Sequence, residues 1–367
     1  RSLCLALGWT RSQRAISRCR LRATTLHSVM LPGASPSHQH SAMRCWAGVL
    51  MLAAVLCPAA LGAASPPQRT PLRASASPAL AEASALLWQY DSLLGWASRL
   101  FDTDKRQALT AVYAWCRRAD EIVDSASGTP AEKLEQLRQR REDLASLYRG
   151  EPHDQLDGLL LETVRIHPAL GEQLFSAMLD GMETDAAGAV RYESWAELER
   201  YCYCVAGVVG EMSLPLLGVP PEQLTEAVSP AVSLGNAVQL VNILRDIGAD
   251  AKLGRVYLPR EDLERFGVRE AELLDVCSSR LSESGRKLVE YEADRARALI
   301  AEGICGIELL PRSVQFAVRA IAELHLAMLA QLEVQEYDSL SKRVRLTLPA
   351  KAAVIAKLAA TSALAGR

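Results

Sequence analysis

The 367 residues carry 41 Lys and Arg against 43 Asp and Glu, a formal net charge of −2, and are 49% hydrophobic but only 5% aromatic. This balance lacks the basic footprint of a nucleic-acid binder, and the length fits one large domain or two at most. Ala and Leu dominate over β-branched and aromatic residues, which argues for a mostly helical core.

The nine cysteines show no repeated CxxC spacing. Cys202 and Cys204 would point to opposite sides of a helix, so reduced, structural thiols are expected.

Residues 1–79 contain no Asp or Glu, and Arg is their only strongly basic residue. Such a stretch reads as a targeting leader that is removed, not as fold. Met43 is a better start than Arg1. Arg44, an apolar run Trp46–Leu61 and the small residues Gly62-Ala63-Ala64-Ser65 follow it, a signal-like segment over 43–64. Residues 65–79, with Arg69, Arg73 and several Pro, Ser and Ala, are transit-like. The combination resembles the two-part leader of algae with secondary plastids and predicts import into a plastid. Pro58 and the marginal length argue against a membrane anchor. No later stretch reads as apolar enough to span a bilayer.

Helical patterning starts near Leu80 and runs to Phe101. Asp102-Thr103-Asp104 breaks it and can cap a helix from Lys105 to Asp124. Thr129-Pro130-Ala131-Glu132 is a capping box with Pro at the first helical position, and it opens a charged helix to about Tyr148. Helices are expected at 154–166 and 169–186, and Ser194-Trp195-Ala196-Glu197 is a second capping box. Gly207 and Gly210 follow within a helical pattern. Each costs about 1 kcal/mol there relative to Ala, which points to close packing or close ligand approach. Pro220-Pro221 starts an element that Pro230 interrupts. Further helices are expected at 260–266, 269–276, 279–304, 312–336 and 348–364.

Two stretches carry chemistry. Asn242, Asp246 and Asp250 fall four residues apart, on one helix face with neighbouring Cβ atoms about 5–6 Å apart. Leu240, Val241, Ile243, Leu244 and Ile247 bury the rest of that helix, so the carboxylates need partners. Oxygen-only ligands select a hard cation such as Mg²⁺ or Mn²⁺. Asp120 and Asp124 form a second stripe. A lone DxxxD is usually a solvated face or half of an ion pair, and Arg117 is placed to pair with Glu121. Two stripes on apolar helices, each with an Arg, are harder to dismiss. Facing each other they would form a mouth for metal-bridged diphosphate, with apolar helices below enclosing a hydrocarbon in a channel widened by Gly207 and Gly210. Tyr201 and Tyr203 would then face a developing carbocation; ordinary core packing explains them equally well.

Arg117-Arg118-Ala119-Asp120-Glu121-Ile122-Val123-Asp124, Tyr201-Cys202-Tyr203-Cys204-Val205-Ala206-Gly207-Val208-Val209-Gly210, and Asn242 to Asp250 followed by Gly254-Arg255-Val256-Tyr257-Leu258-Pro259 resemble the squalene/phytoene synthase family, nearest its phytoene-forming members. The similarity runs from about 85 to 360, within a catalytic domain of 80–367. It implies an all-α isoprenoid synthase fold (class I terpenoid synthase), a helical bundle around a central cavity. It also implies head-to-head condensation of two geranylgeranyl diphosphates to phytoene, through prephytoene diphosphate, with Mg²⁺ or Mn²⁺ and without NADPH. Metal ligands would be Asp120, Asp124, Asn242, Asp246 and Asp250. Arg117, Arg245 and Arg255 would contact diphosphate or brace the acids. Gln239, Gly207, Gly210 and Tyr257 would line the substrate site, and Tyr203 would act in catalysis. Peripheral association with the plastid membrane and with other carotenoid-pathway enzymes would follow from a lipid product.

Four departures from the family pattern stand out. Leu93-Leu94-Gly95 replaces a Ser/Thr-Phe-Tyr-like run, and Ala249 replaces an acid. Thr184-Asp185-Ala186 only partly keeps a Met-Asp-Leu-like segment, and Arg345 stands where Tyr is common. The alternatives are a squalene or dehydrosqualene synthase using C15 diphosphates and a non-catalytic family member acting in assembly.

Overall fold

The computed structural model describes residues 77–90, 101–125, 127–188, 190–275 and 280–365. The leader readings before residue 77 and the Leu93–Gly95 departure lie outside them. The helices are α1 (Pro78–Tyr90), α2 (Thr103–Asp124), α3 (Pro130–Tyr148), α4 (Gln155–Ile166), α5 (Glu172–Ala187) and α6 (Trp195–Cys202). After a π turn at Tyr203–Gly207 come α7 (Val208–Leu217), α8 (Pro221–Ala251), α9 (Arg260–Phe266), α10 (Glu270–Leu274) and α11 (Glu283–Cys305). A 3₁₀ turn at Gly306–Leu309 leads to α12 (Arg312–Val334) and α13 (Leu348–Ala365). Among the described residues there is no strand.

Local chemistry sets the helix starts. The Asp102 carboxylate accepts from the Lys105 N–H and caps α2. The capping box of α3 is complete, with Thr129 and Glu132 each accepting from the other's backbone N–H. The box expected at α6 is only half formed. Ser194 Oγ accepts from the Glu197 N–H, but the Glu197 carboxylate takes the N–H of Glu193, one residue upstream.

Helix α8 corrects a second expectation. Pro230 does not interrupt it, and 31 residues run unbroken from Pro221 to Ala251. Proline removes one backbone bond, but the helix is buried almost continuously from Ser233 to Leu244. The Pro230 ring also rests on Gly306, where a Cβ would lie 2.2 Å from the Pro230 Cβ. Tertiary packing therefore outweighs the lost bond. The same apolar length corrects a third expectation: α8 and α12 are both long and apolar enough to cross a membrane. In α8 that surface is spent in the core.

Around α8 the other helices come unusually close. A Cβ at Gly210 would lie 2.4 Å from the Ala231 carbonyl oxygen, and one at Gly235 would lie 2.5 Å from that of Ala206. Helix α8 also packs extensively on α11, where a Cβ at Gly303 would meet the Leu234 Cβ at 2.7 Å. Near α2, Trp115 meets Phe175 edge-on with ring centroids 4.9 Å apart. Gly210→Ala should force α7 away from α8 and destabilise the protein by about 1–3 kcal/mol. Chemical denaturation checks this, and an unchanged midpoint would mean the two helices separate freely.

Candidate functional site

Helix α2 presents Asp120 and Asp124 one turn apart, with Arg117 lodged between them. Arg117 is only 2% exposed. Its Nη1 donates to Asp120 Oδ2 at 2.5 Å and lies 3.6 Å from Asp124 Oδ2, while its Nε is 3.7 Å from Glu121 Oε1. The Tyr90 ring at the end of α1 covers the guanidinium 4.1 Å away. A buried cation this well surrounded by acids has its desolvation offset. Asp124 Oδ2 is buried without a hydrogen bond.

Helix α8 places Gln239, Asn242, Asp246 and Asp250 in the core, each less than a tenth exposed. Asp246 accepts from two arginines. Arg245 donates Nε to Oδ1 at 3.0 Å and Nη2 to Oδ2 at 2.5 Å. Arg343, from the segment joining α12 to α13, donates Nε to Oδ1 at 2.5 Å and Nη2 to Oδ2 at 2.9 Å. Burial alone would raise the Asp246 pKa, but the hydrogen bonds and charges of the two arginines outweigh it and hold the carboxyl below its usual range. Both amide atoms of Asn242 and the Gln239 Oε1 are buried without a hydrogen-bond partner.

Arg255 and Tyr257 converge on Asp185 at the end of α5, which the sequence reading treated only as part of a departure. The Tyr201 and Tyr257 hydroxyls donate to its carboxylate at 3.0–3.1 Å, and Arg255 Nη2 donates to its backbone carbonyl at 3.2 Å. Tyr192 completes a three-ring group, with centroids 5.5 Å from Tyr201 and 6.3 Å from Tyr257. Burial raises the Asp185 pKa, against the Arg255 charge and the two hydroxyls. Tyr203, in the π turn, donates to Glu211 at 3.2 Å. Single π turns inside helical segments recur at functional sites. Gly207 and Gly210 stand against α8, and Gly210 also borders a small apolar cavity.

Below Asp120, helices α2, α7 and α12 enclose an apolar cavity of about 70 Å³. Val112, Tyr113, Cys116, Met212 and Ile321 are among its walls, and Cys116 sits one turn from Asp120. Burial pushes the Cys116 thiol up to about 12, so it stays neutral. A second cavity of about 40 Å³ shares Ser213, Leu217 and Val318 with the first.

Among the described residues no three His, Cys, Asp or Glu side chains are gathered closely enough to hold an ion by themselves. The donors are nonetheless all oxygen, and Asn242 Oδ1 and Asp124 Oδ2 are buried without a hydrogen bond. That set suits a hard cation such as Mg²⁺, which is held by one or two carboxylates and completes its shell with water or phosphate oxygens.

Sequence patterning missed Arg343 and His325. Arg343 lies in an irregular segment with no periodicity to mark it, and His325 is the one polar side chain among the buried residues of α12. His325 is buried, with Nδ1 2.8 Å from the Ile321 carbonyl oxygen. Burial lowers its pKa to about 4, and the Arg245 charge adds to the effect. The unfolded chain therefore takes up this proton first as pH falls, and the folded state loses stability between about 6.5 and about 4, at about 1.4 kcal/mol per pH unit. His325→Asn keeps a donor for Ile321 and should flatten this part of the stability–pH curve. Denaturant titrations from pH 7 to 5 check it, and an unchanged slope would mean that His325 is not the group responsible.

The family model for squalene/phytoene synthase matches residues 89–350. Phytoene synthase 1, chloroplastic, of Solanum lycopersicum is 38% identical over 261 residues, 70% of this chain and 61% of that protein. The chain thus spans less than two thirds of that relative's own length. The 15-cis-phytoene synthase of Synechocystis is 36% identical over 72% of this chain and 79% of that protein. Among solved structures, a dehydrosqualene synthase in complex with ligand superposes with TM-score 0.67 at 30% identity, covering 79% of this chain and 97% of that one. A squalene synthase from Alicyclobacillus acidocaldarius gives TM-score 0.64 at 25% identity, covering 71% and 94%. The family-model match over most of the chain and these identities show that the chain belongs to the squalene/phytoene synthase family.

Proposed function

We propose that this protein is a phytoene synthase, joining two molecules of geranylgeranyl diphosphate head to head. The observation that carries the reading is the pair of arginine-held carboxylate stripes, on α2 and α8, in a bundle with an apolar cavity one turn below Asp120. Named phytoene synthases at 36–38% identity support the C40 product over the alternatives.

In this reading Asp120, Asp124, Asn242, Asp246 and Asp250 hold Mg²⁺ or Mn²⁺. When bound, the cations neutralise diphosphate charge and make it a better leaving group. Arg117, Arg245 and Arg255 bind the diphosphate or brace the acids, and the unpartnered Gln239 Oε1 is available to substrate. The apolar walls around Tyr113 and Met212 take the prenyl chain and keep water from the allyl cation. The Tyr203 ring offers π-density to positive charge. The first substrate loses diphosphate, and the double bond of the second captures the cation with loss of a proton, giving prephytoene diphosphate. This loses its own diphosphate, rearranges and releases another proton as phytoene. Two diphosphates and two protons leave, so no reductant enters and NADPH is not needed.

The catalytic domain is read as 80–367, preceded by a leader with signal-like 43–64 and transit-like 65–79 segments. Relatives named chloroplastic support a plastid location. A stromal enzyme resting on the plastid membrane, beside other carotenoid-pathway enzymes, suits a lipid product. The second reading, a C15-using synthase, is favoured by the match to a dehydrosqualene synthase over nearly its full length.

The test is incubation of the full chain with geranylgeranyl diphosphate and Mg²⁺ or Mn²⁺, without NADPH. A C40 hydrocarbon with triene absorbance should form, and Asp120→Asn or Asp246→Asn should lower its rate at least 10³-fold at a temperature where circular dichroism shows the variant still folded. A C30 product from farnesyl diphosphate alone would move the protein to the second reading. No product from either substrate would favour the non-catalytic role.

A further inference from the structure

We infer that Arg343 is a positioning residue that occupies the cation-binding face of Asp246, so that this carboxylate holds either the Arg343 guanidinium or a divalent ion, not both. The inference rests on the proposal above that Asp246 binds a cation.

Both Asp246 oxygens are doubly engaged. Arg245 and Arg343 each make two bonds, one to each oxygen, all between 2.5 and 3.0 Å. An ionised carboxylate offers about four lone-pair directions, and here four N–H groups fill them. A cation approaching Asp246 must therefore displace a guanidinium. Arg245 is the adjacent residue on α8 and is held beside the carboxylate by the helix itself. Arg343 reaches it from a segment 97 positions away in sequence. Its side chain is 28% exposed, against 19% for Arg245. Arg343 is the arginine with room to withdraw.

The segment that delivers Arg343 is tied to α8 on both sides of Asp246. Ser339 Oγ donates to the Leu244 carbonyl at 2.5 Å, and the Gly248 N–H donates to the Ser339 carbonyl at 3.3 Å. The Leu340 carbonyl oxygen lies where a Cβ of Gly248 would stand, 2.2 Å from it, so only glycine admits this approach. Asp338 then turns the chain by accepting from the Ser341 N–H and hydroxyl at 3.2 and 2.7 Å. The backbone is thus fixed, and only the Arg343 side chain has to move. Arg245 and Arg343 place two guanidiniums on this one carboxylate. An arriving diphosphate offers the departing one a bidentate partner.

The test is direct Mn²⁺ binding to the full chain without substrate, followed by electron paramagnetic resonance of the free ion. R343Q should bind Mn²⁺ at least fivefold more tightly than wild type. K342Q, which removes an exposed positive charge next door, should not. Adding D246N to R343Q should abolish the gain. The near-isosteric R343M serves if R343Q does not fold. If D246N weakens Mn²⁺ binding but R343Q and R343M bind like wild type, the guarding role is wrong and the metal reading stands. A gain that persists with D246N would place the effect elsewhere and also overturn it. If no variant shows binding that depends on Asp246, the metal reading of that residue falls and the inference falls with it.

Discussion

The structure depends on charge compensation inside apolar helices. Asp120, Asp246 and Asp250 are each less than a tenth exposed, and unpaired carboxylates at such depth would be strongly destabilising. Arg117 serves Asp120, Asp124 and Glu121 together. Arg245 and Arg343 serve Asp246. At Asp246 the hydrogen bonds and charges of the two arginines outweigh burial and hold the carboxyl below its usual range. Stability and the proposed chemistry therefore draw on the same side chains, and at Asp246 they compete for one carboxylate.

A second constraint is how closely the helices approach. Gly210 and Gly235 bring the α7 region against α8, and Gly303 does the same for α11. The cost of glycine inside helices is offset by close backbone contact. That contact fixes the part of α8 bearing Asn242 and Asp246 relative to the cavity between α2, α7 and α12.

The fold class was legible because Ala- and Leu-rich amphipathic patterning is local. The caps at Asp102 and Thr129 follow from side chains within three residues, and sequence located them well. Pro230 misled because its penalty is local, whereas the packing that overrides it comes from Gly306, far along the chain. The stripes were legible from four-residue spacing. Their arginine partners were legible only within a helix: Arg117 and Arg245 adjoin their acids, whereas Arg343 lies 97 positions from Asp246. Tyr257 and Arg255 were placed at the site by resemblance, and the structure brings them to Asp185, whose partners lie 16 and 72 positions away. Long-range polar pairing leaves no periodic trace in a sequence.

The proposed chemistry requires the α2 and α8 stripes to act together on one diphosphate. Anomalous diffraction from crystals grown with Mn²⁺ and a non-reactive thiolo analogue of geranylgeranyl diphosphate tests it most directly. Mn²⁺ should be bound to the diphosphate and to carboxylates of both stripes, Asp120 or Asp124 on one side and Asp246 or Asp250 on the other. Manganese bound to one stripe alone, with the diphosphate elsewhere, would contradict it.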